Sequence, residues 1–316
     1  MAALAILTIT LPIFLLIGLG YLCAWRRLFT PDQVRGMGRL VITFALPALL
    51  FRSLVQQNLG DVLEWRYFAV YALGSLMMLF GGVLYARAVH GLGITAAAMR
   101  GFGMGVSNNG FIGFPLAMQL IGPRAAIPLA LCFIVENLLM LPAVLALAES
   151  GKAGHASRTA MMRSIAASLI RSPLIIAIVL ACAALVVGVR PTGVIAKVID
   201  MLAGASAPVA LIVIGATLFG LSAKGMMRPV LEIAAGKLML HPLAMLALLA
   251  IIPIADRDMR HTVVLLASLP MLSIYPIIAQ RYGEEKLCAA ALLVTTALGF
   301  VTVSGWIWLL QTGWLG

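Results

Sequence analysis

Two apolar runs carry side chains that could move a charge. Glu136 and Asn137 interrupt one, and Lys237 and His241 stand four residues apart inside the other. Ionisable groups in such runs are expensive, and they mark ion paths, proton relays or buried pairs. Glu136 could carry a coupling proton, and Lys237 could attract an anion or pair with Glu136. A structural ion pair, or a side chain reaching for the interface, is the plainer reading of both. His241, one turn from Lys237, reads first as an interhelical hydrogen-bond partner. Two other segments combine polar groups with helix breakers. One runs Ser107, Asn108, Asn109, Gly110, then Gly113 and Pro115; the other holds Ser268, Pro270, Ser273, Tyr275 and Pro276. Pro115 cannot donate its amide and would crowd the carbonyl of residue 111, while Gly110 and Gly113 tolerate an opened backbone. A helix broken there has free amides and the positive end of its dipole at the start of its second half, which suits a carboxylate. The competing reading is that Gly and Pro are common in membrane helices and that Asn merely joins neighbours.

The elements that position these residues are apolar spans. Of 316 residues 63% are hydrophobic and 10% charged, against roughly 45–50% and about 25% in soluble domains. Runs near 3–25, 38–58, 65–88, 98–121, 124–148, 172–190, 198–222, 229–253, 261–282 and 287–311 are each about the length a bilayer crossing needs. Each must be helical, because a backbone in lipid has to satisfy its own hydrogen bonds and the alternation of barrel strands is missing. The formal charge of +11 is scattered between the runs, with no basic face or arm for nucleic acid. Fourteen Lys and Arg fall on one side of the alternating spans and seven on the other, with Lys237 inside a span. The richer side is expected in the cytoplasm, which puts both termini outside. No Lys or Arg precedes Arg26, and the first run is too long for a signal core, so it reads as a span. Trp306, Trp308 and Trp314 suit an interfacial anchor or aromatic packing equally. Cys23, Cys132, Cys182 and Cys288 stand alone, with no spacing for disulfides or metal. No cofactor or metal is expected.

A polar stretch, 149–171, divides five spans from five and is expected to be a cytoplasmic linker between 1–148 and 172–316. A shift of 161 positions superimposes Pro12 on Pro173, Pro47 on Pro208 and Pro115 on Pro276, together with Ser107 on Ser268, Gln119 on Gln280 and Gly122 on Gly283. Five is odd, so the second copy must enter the membrane upside down. Inverted repeats with interrupted helices at matching positions point to a secondary transporter whose site lies at those interruptions. Pro47 and Pro208 should kink the second and seventh spans, either around the site or for packing alone. The expected architecture is an all-α polytopic membrane protein, its ten transmembrane helices forming two inverted five-helix repeats with helices 4 and 9 broken.

The run from Ser107 to Pro115, the segment from Lys237 to Pro242 and the five-plus-five arrangement resemble the auxin efflux carrier family over nearly the whole chain. The resemblance implies a fold similar to sodium/proton antiporters and bile-acid transporters, with a scaffold domain and a transport domain in which helices 4 and 9 cross. It implies a small organic anion as cargo: auxin in plants, malonate or malate-like dicarboxylates in bacteria. Asn108, Asn109, Pro115 and Pro276 would lie at the crossing. The short 149–171 linker suits a prokaryotic carrier of the plasma membrane, the bacterial inner membrane. Coupling to H+, to Na+ or to membrane potential alone stays open, and a homodimer is compatible with all three. An anion channel or an intramembrane binding or sensor protein is the alternative, although neither charge rings nor a repeated filter loop is present. Zinc-hydrolase and Asp-rich magnesium motifs are missing, as is a phosphate-binding loop, so an enzyme or an ATPase lacks its chemistry.

Overall fold

The computed structural model describes residues 2–57, 64–151 and 170–312, and every regular element among them is helical. In chain order these are α1 (Ala2–Trp25), α2 (Pro31–Leu54), α3 (Trp65–His90), α4 (Ile94–Gly105), α5 (109–121), α6 (126–150), α7 (Pro173–Val187), α8 (Gly193–Leu218), α9 (Met227–Leu249), α10 (Arg257–Ala267), α11 (Tyr275–Gln280) and α12 (Glu285–Gln311). By length and composition, seven helical stretches among the described residues can cross a membrane. One of them, Ile94–Ser150, has 57 residues and would reach about 85 Å as a straight helix, far beyond a hydrocarbon core of about 30 Å. It is opened at 106–108 and turned at Gly122–Ala125. The run expected at 261–282 is likewise split into α10 and α11, and α7 has only 15 residues. Most of the 149–171 linker, and Trp314, lie outside the described residues.

α2 and α10 start ahead of their apolar runs, where Thr30 and Asp256 cap the first turn. α2 begins at Pro31, where Thr30 and Gln33 form a capping box and Pro31 occupies the first turn. These choices satisfy free amides and suit a fixed φ. α8 begins at Gly193 and stops at Leu218, earlier than the run 198–222 at both ends.

Four prolines produce one local solution. In each case the helix widens into a π-turn that ends two residues before the ring: Val41–Ala45 before Pro47, Asn109–Gly113 before Pro115, Glu136–Met140 before Pro142 and Gly236–Leu240 before Pro242. The residue preceding each proline bonds five residues back, as Phe114 does to Asn109 and His241 to Gly236. The wider turn relieves the clash with the carbonyl four residues back, and such turns recur at functional sites. This corrects the expected position of the break: the chain opens at 106–108, ahead of Pro115, which lies inside α5 just past its opening π-turn. Pro208 lies inside the uninterrupted α8, so its match with Pro47 is positional and does not extend to local geometry.

The helices pack as two groups. α1, α2, α7 and α8 pack on one another, and α3, α4, α6 and α9 to α12 form the second group. α1 and α8 meet backbone to backbone: a Cβ on Gly20 would strike the Ile212 carbonyl, and one on Gly215 would strike that of Ile17. Small residues permit this approach, which replaces a hydrophobic drive that lipid cannot supply. Gly101 and Gly105 on α4 sit similarly against the Leu79 and Ser75 carbonyls of α3. The π-turn 109–113 contacts α8, so the opened segment lies at the seam between the groups.

Polar contacts gather the loops at two ends. Arg124 pairs with Asp256 at 2.6 Å and Asp258 at 3.4 Å, and Arg52 meets Asp200 at 3.4 Å. Elsewhere His90, Arg228 and Arg100 converge on Glu232 at 2.7, 3.3 and 3.8 Å. Each of these pairs joins residues that the charge pattern assigns to the same side of the membrane.

Candidate functional site

The two opened segments touch through their backbones. The amide of Asn108 donates to the Pro270 carbonyl at 2.9 Å, and the Asn108 side chain donates to Ser273 Oγ at 2.6 Å. Asn108 Oδ1 also accepts from the Phe111 amide at 3.3 Å, capping the helix that begins at 109. Buried polar backbone freed by the break is thus paired across to the other break, as an apolar interior requires.

Beside this junction lies a cavity of about 190 Å³ at the seam between the helix groups. Asn108, Gly110, Glu136, Asn137 and Ser273 are in its wall, faced by Ile42 and Leu46 of α2 and Leu174 of α7. Asn137 Nδ2 is turned back onto the Phe133 carbonyl at 2.8 Å. Among the described residues, the wall contains no Lys or Arg side chain.

Behind the wall runs a buried network. Glu136 Oε1 accepts from Asn109 Nδ2 at 2.7 Å, Tyr71 Oη at 3.0 Å and the Ser107 amide at 3.2 Å. Asn109 Nδ2 also donates to Tyr71 Oη at 2.8 Å, and Asn109 Oδ1 is buried without a partner. Lys237 Nζ donates to the Ala267 carbonyl at 2.6 Å and Ser107 Oγ at 2.7 Å, and lies 2.8 Å from His241 Nδ1. His241 Nε2 in turn contacts Ser75 Oγ at 3.1 Å. Lys237 and Glu136 are therefore joined through Ser107, whose amide serves one and whose hydroxyl serves the other. Lys237 sits at the carbonyl end of α10, where a positive charge complements the helix dipole.

The residues expected at the site divide by location. Asn108, Gly110, Glu136, Asn137 and Ser273 are on the cavity; Ser107, Asn109, Lys237 and His241 form the layer behind it. Tyr275 is buried away from the cavity, donating to the Met99 carbonyl at 2.8 Å with its ring edge-on to Phe102. Ser268 bonds the Leu265 carbonyl at 2.8 Å. Pro115 follows the π-turn inside α5, Pro276 occupies the first turn of α11 and Pro270 supplies the junction carbonyl. Trp306 packs inside, donating to the Leu238 carbonyl at 2.9 Å, while Trp308 is half exposed. Tyr71 and Ser75 were not anticipated. Their signal is the spacing Tyr67, Tyr71, Ser75, a stripe with a period of four residues on one face of α3, every member fully buried.

A helical chain with several membrane-crossing stretches and a cavity walled by interrupted helices is a multi-pass membrane protein of the transporting class. The sequence profile described as "Membrane transport protein" matches residues 5–307, and the chain belongs to that family, the auxin efflux carrier family. It is 32% identical over 315 residues to the "Putative malonate transporter" of Rhizobium meliloti (strain 1021), covering 96% of each chain. It is 28% identical over 310 residues to the "Uncharacterized transporter YfdV" of Escherichia coli (strain K12), covering 94% of this chain and 95% of that one.

Proposed function

We propose that this protein is a carrier of small organic anions, mono- or dicarboxylates such as malonate, working by alternating access at the crossing of its two broken spans. The observation that carries the reading is the junction itself: the Asn108 amide on the Pro270 carbonyl, with the cavity beside it at the seam between two helix groups. A site at such a seam can be opened to either side by moving one group past the other. The start of the helix at 109, capped by Asn108, offers the positive dipole end to a carboxylate. Asn108, Asn137 and Ser273 supply polar contacts, and Asn109 and Ser107 hold Glu136 from behind. The likeness to a protein named for malonate supports the choice of dicarboxylates.

The reading includes ten spans in two inverted repeats, with α4 and α5 as the fourth and α10 and α11 as the ninth. It places both termini outside a bacterial inner membrane. Support comes from the 161-residue shift and from ion pairs that join only loops assigned to one side.

Uptake of labelled malonate and other carboxylates into proteoliposomes tests the reading. Saturable uptake with counterflow is expected, and non-saturating currents would show a channel instead. Asn109→Ala and Pro115→Ala should each abolish uptake while the protein still reaches the membrane. Wild-type rates in both variants would move the site elsewhere.

A further inference from the structure

The two oxygens of Glu136 are treated very differently. Oε1 is held by three donors, whereas Oε2 has no hydrogen-bond partner among the described residues. Glu136 is also part of the cavity wall, and Oε2 is not among the buried unpartnered atoms. The carboxyl group is thus fixed by one oxygen and presents the other to the space where an anion would sit.

From this geometry we infer that Glu136 binds the substrate directly, as a carboxylic acid: Oε2 takes a proton from solvent and donates it in a hydrogen bond to a carboxylate oxygen of the substrate. The inference rests on the carboxylate-site reading above. Two carboxylates cannot face each other across a small cavity unless a proton lies between them, since like charges in a site of low dielectric raise each other's affinity for protons. Among the described residues, no Lys or Arg side chain of the wall is available to offset the second charge. The cation nearest the network, Lys237, has its three N–H directions engaged by Ser107, His241 and Ala267. The other ionisable groups around Glu136 are Tyr71 on α3 and Cys132 one turn back on α6, with His241 beyond Lys237; α2 and α7 present Ile42, Leu46, Ser172 and Leu174. Among the described residues, none of them hydrogen-bonds Oε2. For each anion bound, one O–H bond forms on Glu136 as one O–H bond of a hydronium ion breaks to leave water, and the complex carries one negative charge fewer than separate protein and substrate.

Binding of one proton with one anion makes affinity depend on pH. Wherever free Glu136 is ionised, the apparent Kd should rise about tenfold per pH unit. The test is malonate binding to the purified full-length protein in weakly buffered detergent solution, with a pH-indicator dye reporting proton uptake and calorimetry reporting affinity. The wild type should take up about one proton per malonate beyond malonate's own buffering. Glu136→Gln, whose amide can donate but cannot exchange a proton in this way, should take up none and bind with an affinity that no longer varies with pH. Malonate binding by the wild type without proton uptake overturns the inference and leaves the carrier reading standing. So does a Glu136→Gln protein that keeps the wild-type pH profile. Absence of saturable carboxylate uptake into proteoliposomes at every pH would remove the carrier reading, and this inference with it.

Discussion

At the scale of single residues, the interior is organised around one lysine. Lys237 supplies a partner to Ser107, His241 and the Ala267 carbonyl, and is itself fully buried. Its removal leaves those groups without their donor, and each orphaned buried polar group costs about 1–3 kcal/mol. Lys237→Ala should therefore lower the thermal midpoint in detergent more than Lys286→Ala, a substitution in the loop-proximal first turn of α12. Equal midpoints would show that the network contributes nothing to stability. Ser107, Asn109, Glu136, Lys237 and His241 were legible in the sequence as polar residues in apolar runs, but Tyr71, Ser75 and the connections were not. That Glu136 and Lys237 meet through Ser107 depends on where the backbone opens, and a proline marks only the neighbourhood of an opening. Tyr275 shows the opposite error: a polar residue beside a break looks like a ligand, yet its hydroxyl is spent on Met99.

At the scale of elements, glycine spacing and proline positions decide how helices meet. The α1–α8 contact needs Gly20 and Gly215, whereas a Cβ on Gly18 would meet nothing within 4 Å. Gly20→Leu should force the helices apart and destabilise the protein by about 1–3 kcal/mol, the usual cost of overpacking. Gly18→Leu should leave the thermal midpoint close to wild type. A drop of the same size in both would assign the effect to helix propensity instead of the crossing. The sequence shows the glycines of the fourth run plainly, and Gly110 and Gly113 read as tolerance for an open backbone. In the structure Gly101 and Gly105 are instead the contact surface for α3, because the pairing partner of a small residue lies on another helix and leaves no local mark.

At the scale of the whole molecule, a charge cluster joins the turn after α5 to the start of α10. Partial burial pushes the Asp256 carboxyl up, but the Arg124 guanidinium and the Met259 amide outweigh that and hold it below its ordinary range. The folded protein then releases this proton more readily than the unfolded chain. The stabilisation is complete above the unfolded value of about 3.9 and is lost as pH falls through the lower folded value. Thermal midpoints measured from about pH 6 down to about pH 3 should decline on the acid side. Asp256→Asn should start lower and decline less, and an unchanged slope would remove Asp256 as a contributor. Hydropathy marks ten apolar runs, whereas length and composition give seven crossing stretches among the described residues: 98–121 and 124–148 fall within one stretch, α7 is short, and α10 and α11 are separate pieces. The interruption between α10 and α11, which hides that run from such a count, supplies Leu272, Ser273 and Ile274 to the cavity wall.

The bond between Asn108 and Pro270 has a further consequence for how the chain is made. Residues 106–108 are synthesised and inserted long before their acceptor, 162 positions later in the sequence, has left the ribosome. Until then an opened backbone waits in the membrane with a polar group unanswered, a state that costs several kcal/mol in lipid. The first half of the chain is therefore an unfinished client of the insertion machinery. Translation stopped within the linker should yield a fragment that the cell's quality control degrades, and supplying the second half as a separate polypeptide should rescue it.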